Sequence, residues 1–402
     1  MNEIQRLIHE MCPDGVPMVA LGEICEIRGR IGFRGYTRAD QVAEGEGALS
    51  LSPGNISNGV MDYSKGTYIT WKKYEESPEI ITENGDIIFC KTASCGKVAI
   101  VKNLPYKATI NPQLVVLKNV SCSIPYLYYV LSSNSIQECV KKLQGVGSVP
   151  NISQAALSSF QIPLPPLPIQ QRIVEILDKF TSLVSSLDSG IALRQKQYEY
   201  YRNKLLSFEE DVPMVTLGDV CNKITDGSHN PPSGIDYSSF RMISSQNIFN
   251  DKLVLNDIRY LKKEDFLKEN KRTEVSQGDL LLTIVGAIGR CYVVKKNDLP
   301  FTCQRSVAVL KINQLKMIPE FVHECIININ AYLENQANGA AQKGLYLNQI
   351  AKIQIPLPPL PIQLSIVRTL DTFESLLTNL KKERELRQKQ YEYYREKLLT
   401  FA

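Results

Sequence analysis

Asn230-Pro231-Pro232 is the stretch of this chain that most directly suggests chemistry. Adenine methyltransferases place N-P-P before an aromatic residue that stacks on the flipped base. Here Ser233 follows, so the stacking platform is missing, and no glycine-rich motif for a methyl donor follows a strand-like run. The stretch reads instead as a turn-rich loop, DGSHNPPSG, over residues 226–234. Gly96-Lys97 resembles the end of a phosphate-binding loop but lacks the upstream glycine and the following Ser or Thr, and Gly289-Arg290 occupies the matching place later in the chain. Two readings stand for this pair: a structural turn between strands, or a phosphate contact by a basic residue beside a tight turn. The series Asp86…Lys91 resembles a nuclease site, but the matching series is Asp279…Ile284, so it is set aside. With three histidines and ten scattered cysteines, none in C-x-x-C spacing, no metal site is expected.

A second set of side chains suits recognition rather than catalysis. Arg28, Arg30, Arg34, Tyr36 and Arg38 crowd into RGRIGFRGYTR. Lys72 and Lys73 are matched by Lys262 and Lys263, and Lys97 by Arg290. The polar loop GVGSVPNIS carries Ser148 and Asn151, and NGAAQKGLYLN carries Lys343. His229, Gln246, Asn247 and Arg305 complete the candidate DNA-contacting set. Arginine, lysine, asparagine and glutamine can hydrogen-bond base edges in pairs of bonds, which is why this composition points to DNA. An ordinary solvated surface is the competing reading for any one of them. The net charge of +4 permits DNA binding without demanding it.

These residues are arranged by an internal repeat. IPLPPLPIQ occurs at residues 162–170 and again, 193 residues on, at 355–363. LRQKQYEYYR occurs at 193–202 and 386–395, at the same spacing. The preceding regions repeat more faintly: VPMVALGEIC (16–25) matches VPMVTLGDVC (212–221), and GDIIFCKTASCGK (85–97) matches GDLLLTIVGAIGR (278–290). The order is therefore A–B–A′–B′, with B nearly identical and A divergent. Like B segments imply one mechanical job done twice, and unlike A surfaces on one skeleton imply two different ligands.

The B segments predict long helices, beginning near Pro168 and Pro361 after an extended proline-rich lead-in. Apolar positions at Ile173, Ile176, Phe180, Leu183 and Leu187 step by three and four. After a slip beside Gly190 the series resumes at Tyr198, Tyr201 and Leu205, with Arg194 interrupting. The second copy offers Ile366, Phe373, Leu380, Tyr391, Tyr394 and Leu398, interrupted by Arg387. This spacing is that of a coiled-coil seam. About 40 residues at ~1.5 Å each make a rod of roughly 60 Å. Two such helices are expected to pack antiparallel; the alternative is that each packs on its own domain. The polar stretch 181–189 suggests the looser part of the seam.

The A segments alternate short β-like runs, among them GDIIFCK, KVAIV and QLVVLK, with a helix-like run at 124–143 and a counterpart near 319–335. The fold class expected is α/β (α+β): two similar globular domains, 1–161 and 209–354, each followed by a proline-rich lead-in and a long helix, 162–208 and 355–402. The composition, 44% hydrophobic and 22% charged, is that of a globular protein. No apolar run approaches the ~20 residues that span a bilayer. The start MNEIQRLIHEM lacks a basic leader and an apolar core, so a cytoplasmic location with free thiols is expected.

IPLPPLPIQQRIV and LRQKQYEYYRNKLLSF, with their repeats, resemble the specificity subunits of type I restriction–modification systems, and the resemblance runs the length of the chain. DGSHNPP (226–232) is similar to a D-G-x-H-x-x-P stretch common in that family; the first half carries IRGRIGFRG in its place. The resemblance implies that each domain is a target-recognition domain reading one half of a bipartite DNA sequence. It implies that the helices set the spacing and dock two modification subunits, which bind S-adenosylmethionine and methylate adenine. Two restriction subunits, using ATP and Mg2+, can join them. The chain itself would bind no cofactor and catalyse nothing. The alternative of another class is a two-domain protein-binding scaffold with the helices as a dimerisation rod; a self-sufficient methyltransferase would need the methyl-donor motif that is missing.

Overall fold

The computed structural model describes residues 2–31, 35–143, 150–208, 212–336 and 344–401. The chain forms two compact units, Met1–Asp188 with Lys382–Ala402, and Ser189–Lys381. The first is discontinuous in sequence and the second continuous, and each takes part of both long helices.

The first unit is built on two sheets. Strands Val98–Ile100, Ile87–Cys90, Leu114–Lys118 and Glu26–Gly29 pair antiparallel in that order. A five-stranded sheet contains Ala48–Leu51 beside Ala108–Ile110, its one parallel pair. Alternation along the strands explains why the sequence there is apolar without a break. Val115 and Leu117 face one cluster, with Tyr126, Ile169 and Ile173, whereas Leu114 and Val116 face another, with Leu49, Leu51 and Ile110. Successive side chains point to opposite faces, and both faces are covered.

The second unit repeats the plan. Cys221–Asp226, Val307–Ile312, Leu280–Thr283 and Cys291–Val293 form the four-stranded sheet, and Phe240–Ile243 pairs parallel with Phe301–Cys303 in a three-stranded one. Leu280 and Leu282 join one cluster and Leu281 the other. Each unit also has the same strut: Lys118 donates to Asp86 at 2.7 Å, and Lys311 to Asp279 at 2.8 Å. Asp86 and Asp279 thus hold matching places in the two units.

The long helices run Leu167–Leu205 and Leu360–Leu399. Within the first unit they are antiparallel: Phe180 stacks on Tyr394 at 5.3 Å, and Arg384 reaches Asp188 at 2.9 Å. Within the second, Tyr201 stacks on Phe373 at 5.4 Å, the image of the first pair under the 193-residue repeat.

The packed stripe differs from the expected seam. Ile173, Ile366, Tyr391 and Leu398 are buried as expected, but Leu183 is 39% exposed and Val184 beside it is buried. Leu177 and Leu206 are buried where Ile176 and Leu205 are half-buried, and Leu377, outside the expected series, is buried as well. Leu187, Leu380, Tyr198, Phe180, Phe373 and Tyr394 are half-buried, and Tyr201 remains 40% exposed despite its stacking. The reason is that each helix serves two neighbours. Ile169, Ile173 and Leu177 belong to the domain core as well as the helix pair, so the stripe advances by four where a coiled-coil seam would advance by three. The polar stretch 181–189 is not loose: Val184 is buried and Asp188 is paired.

Candidate nucleic-acid interface

In the second unit, the strand Cys221–Asp226 ends at the loop 226–234. Gly227 allows the loop to fold back on the parallel strand, because a Cβ there would lie 2.0 Å from the carbonyl oxygen of Cys303. Ser228 N–H then donates to that carbonyl at 2.8 Å, and Arg305 N–H donates to Ser228 O at 2.9 Å. Asp226 is buried; its carboxylate accepts from Arg272 and lies 2.7 Å from His229 Nε2. Arg272 Nε also donates to Asp226 O at 3.0 Å. Arg259 donates to Pro232 O at 3.2 Å, so Asn230-Pro231-Pro232 is part of a pinned loop, in keeping with its reading as a turn.

Two further turns complete a cavity. Ser244 N–H and hydroxyl both donate to Asn247 Oδ1 at 3.0 Å, and Asn247 Nδ2 donates to Val254 O and Asn256 O at 3.1 and 3.3 Å. Arg290 donates to Ile248 O at 3.2 Å and lies 5.0 Å from the Phe249 ring centre. The cavity holds about 690 Å³ and is lined by His229, Gln246, Arg259, Arg290, Arg305 and neighbouring serines, with Asp257 the acidic member. His229, Gln246 and Arg305 are exposed, and the side chains of Gln246 and Arg305 make no hydrogen bond among the described residues. Three arginines against one aspartate make a concave site with a positive balance, suited to DNA phosphates and base edges.

The first unit has the same frame with different furniture. Asn55 Oδ1 accepts from Ser52 N–H at 2.9 Å, and Asn55 Nδ2 donates to Asp62 O at 2.9 Å. Lys97 reaches Ile56 O at 3.4 Å, where Arg290 reaches Ile248 O. Thr92 and Asn151 face each other at 2.8 Å, and Asn111 donates to Gln113 at 3.1 Å.

The structure corrects two members of the expected contact set. Arg30 is buried and donates to Ile110 O and Thr109 Oγ1, both at 3.1 Å, with Tyr36 5.5 Å beneath it. Burial pulls the Arg30 guanidinium down from its usual value, opposed by Tyr36, Glu79 and Glu76. Asn247 is likewise interior, because its side chain satisfies backbone groups of its own loop. Lys97 and Arg290 are half-committed to the same loops. Arg28 pairs with Glu26 and Lys73 with Glu76, whereas Lys72, Lys262 and Lys263 are exposed. Asn151 is exposed beside Thr92. Arg34, Ser148 and Lys343 lie outside the described residues. Sequence reasoning missed Arg259 and Arg272. Nothing in their local sequence marks them; only folding brings Arg272 to Asp226.

Known proteins resemble this chain in sequence and in fold. A type I restriction enzyme specificity subunit of Escherichia coli is 30% identical over 300 residues, 69% of this chain and 71% of its own. A Haemophilus influenzae chain, provisionally named a type I restriction enzyme specificity subunit, is 31% identical over 268 residues, 62% of this chain and 66% of its own. In fold, a chain from a structure of type I restriction–modification complex assembly aligns at TM-score 0.64 and 19% identity, covering 96% of this chain and 97% of that one. An S subunit from M. genitalium aligns at 0.55 and 15%, covering 96% of each. The model of the type I restriction modification DNA specificity domain matches twice, at residues 13–192 and 209–388. With two such domains over nearly its whole length, the chain belongs to the family of type I restriction–modification DNA specificity subunits.

Proposed function

We propose that this chain reads a bipartite double-stranded DNA target, one half through each of its segments 1–161 and 209–354, and carries out no chemistry itself. Methyl transfer to adenine belongs to two partner modification subunits that bind S-adenosylmethionine, and cleavage to two restriction subunits that use ATP and Mg2+. One observation carries the reading: both units hold the same asparagine-pinned turn and basic hook, Asn55 with Lys97 and Asn247 with Arg290, yet expose different polar side chains around them. A shared frame with unlike linings is what two separable readers require.

The test exchanges residues 16–160 for the matching segment of a relative and maps methylated adenines in cells that also make the modification subunit. One half of the modified sequence should change and the other persist; a change in both halves overturns the modular reading. Binding of the purified chain to DNA should weaken steeply with salt as counterions cease to be released, a dependence that a protein-binding scaffold would not show. The long helices are the spacer in this reading. Gly190, with open space around it, is the place for a four-residue insertion. That adds about 6 Å, or one to two base pairs between half-sites at ~3.4 Å each. An unchanged spacer in an active variant would remove the helices from that role.

A further inference from the structure

We propose that His229 is a specificity-determining residue of the second unit, and that Asp226 and Arg272 are positioning residues that aim it into the cavity. The proposal rests on the DNA-reading function above and names the side chain that does part of the reading.

The geometry is that of a braced imidazole. Asp226 is only 8% exposed, and its two carboxylate oxygens are divided between two partners: Oδ1 receives Arg272, and Oδ2 lies 2.7 Å from His229 Nε2. Arg272 holds the same residue a second time through Nε and the Asp226 carbonyl oxygen at 3.0 Å. The carboxylate therefore cannot turn without breaking its bond to Arg272, which the second bond to the Asp226 backbone holds in place. With Nε2 engaged, Nδ1 is the ring nitrogen left over, and it has no hydrogen-bond partner among the described residues. His229 nevertheless lines the cavity together with Gln246, Arg290 and Arg305.

Stability alone does not account for this bracing. The His229 side chain is 54% exposed, so water could satisfy its ring nitrogens without a protein partner. A fixed ring orientation matters when a ligand must meet the free nitrogen, the role that outer carboxylates play for histidines at metal sites. Arg272 has a second effect: it neutralises Asp226, which would otherwise repel DNA phosphates from the mouth of the site. The two units differ at the end of the strand that leads to His229, since Arg30 caps the Ile110 carbonyl in the first unit.

The full-length chain and its variants should be tested at low salt against a double-stranded DNA library with a randomised region, with bound and unbound fractions sequenced. The wild type is expected to enrich a two-part sequence. His229→Ala should flatten the preference at one base pair of one half by about tenfold and leave the other half untouched. Asp226→Asn should weaken the same position and no other. In the His229→Ala background, Asp226→Asn should have no further effect there, because it acts through the ring. A histidine that only supports the loop, or only contacts phosphate, would lower affinity for all sequences alike; that result, or an unchanged enriched sequence, overturns the proposal. If the wild type enriches no sequence, the DNA reading falls and this proposal with it; an enriched sequence that His229→Ala leaves intact removes this proposal alone.

Discussion

The two units cap the same backbone carbonyl by different means. The central parallel strand ends at Ile110 in the first unit and at its repeat, Cys303, in the second. Ile110 O accepts from the side chain of Arg30, and Cys303 O accepts from the backbone N–H of Ser228. A buried carbonyl must find a donor, so the frame imposes the demand and leaves the donor open. Where the chain supplies a backbone donor, a glycine is needed for the approach and the loop beyond is free to carry a histidine. Where it supplies an arginine, the guanidinium is consumed in the core. A divergent recognition loop can thus be grafted onto a constant sheet, provided that one interior hydrogen bond is restored.

Breaking the two closures separately should separate the units. Gly227→Ala places a methyl group 2.0 Å from the Cys303 carbonyl oxygen, which belongs to a core strand and cannot yield. We expect a loss of about 4 kcal/mol or more, read by hydrogen exchange as unfolding confined to the second unit. Gly29→Ala meets chiefly the end of the Gln154 side chain, at 2.6 Å, which can swing away, and should cost far less. Arg30→Met keeps the volume but leaves Ile110 O and Thr109 without their donor. The cost should be about 2–3 kcal/mol, confined to the first unit in a denaturant titration followed by the same exchange measurement.

The helix stripe supplies a smaller contrast. Val184→Ala should lose about 1–2 kcal/mol, whereas Leu183→Ala, at an exposed position, should stay within about 0.5 kcal/mol. Equal losses would restore the seam expected from spacing alone.

The smallest difference concerns pH. Tyr128 in the first unit lies against Gly59 at its hairpin turn, whereas His323 in the second lies 3.5 Å from Asp251 and 3.2 Å from Glu324. Burial opposes charge on His323, but the Cys291 sulfur, Asp251 and Glu324 outweigh it, and the proton is held well above the ordinary imidazole range. Asp371 and Glu374 are also pushed up, chiefly by burial. A raised value contributes stability below the unfolded value and loses it as pH rises through the folded one. The second unit should therefore melt progressively lower above about pH 6.5, and His323→Gln should flatten that slope while the first unit's melting is unmoved.

Much of this was legible in the residues. The 193-residue repeat set the number of units and the two long helices, because identical blocks at one spacing admit few other organisations. Continuous apolar runs such as IIFC marked strands covered on both faces. The DGSH stretch was visible as a motif, and its histidine does reach the cavity. The stripe was misjudged by one residue at Leu183 because spacing alone does not reveal that a helix packs on a domain as well as on another helix.

What the sequence determined by itself is therefore the periodic part: repeat, helices, strand alternation and family, all of which depend on residue types at fixed spacings along the chain. What only the tertiary structure decided is the fate of individual polar groups. Arg30 and Arg28 are two residues apart in one basic cluster, yet one caps a core carbonyl and the other lies on the surface. Arg272 braces Asp226 across 46 residues with no local sign of doing so. A polar side chain is spent inside or left free outside according to which unsatisfied backbone group folding brings within about 3 Å of it, and that distance is set by residues far away in the chain.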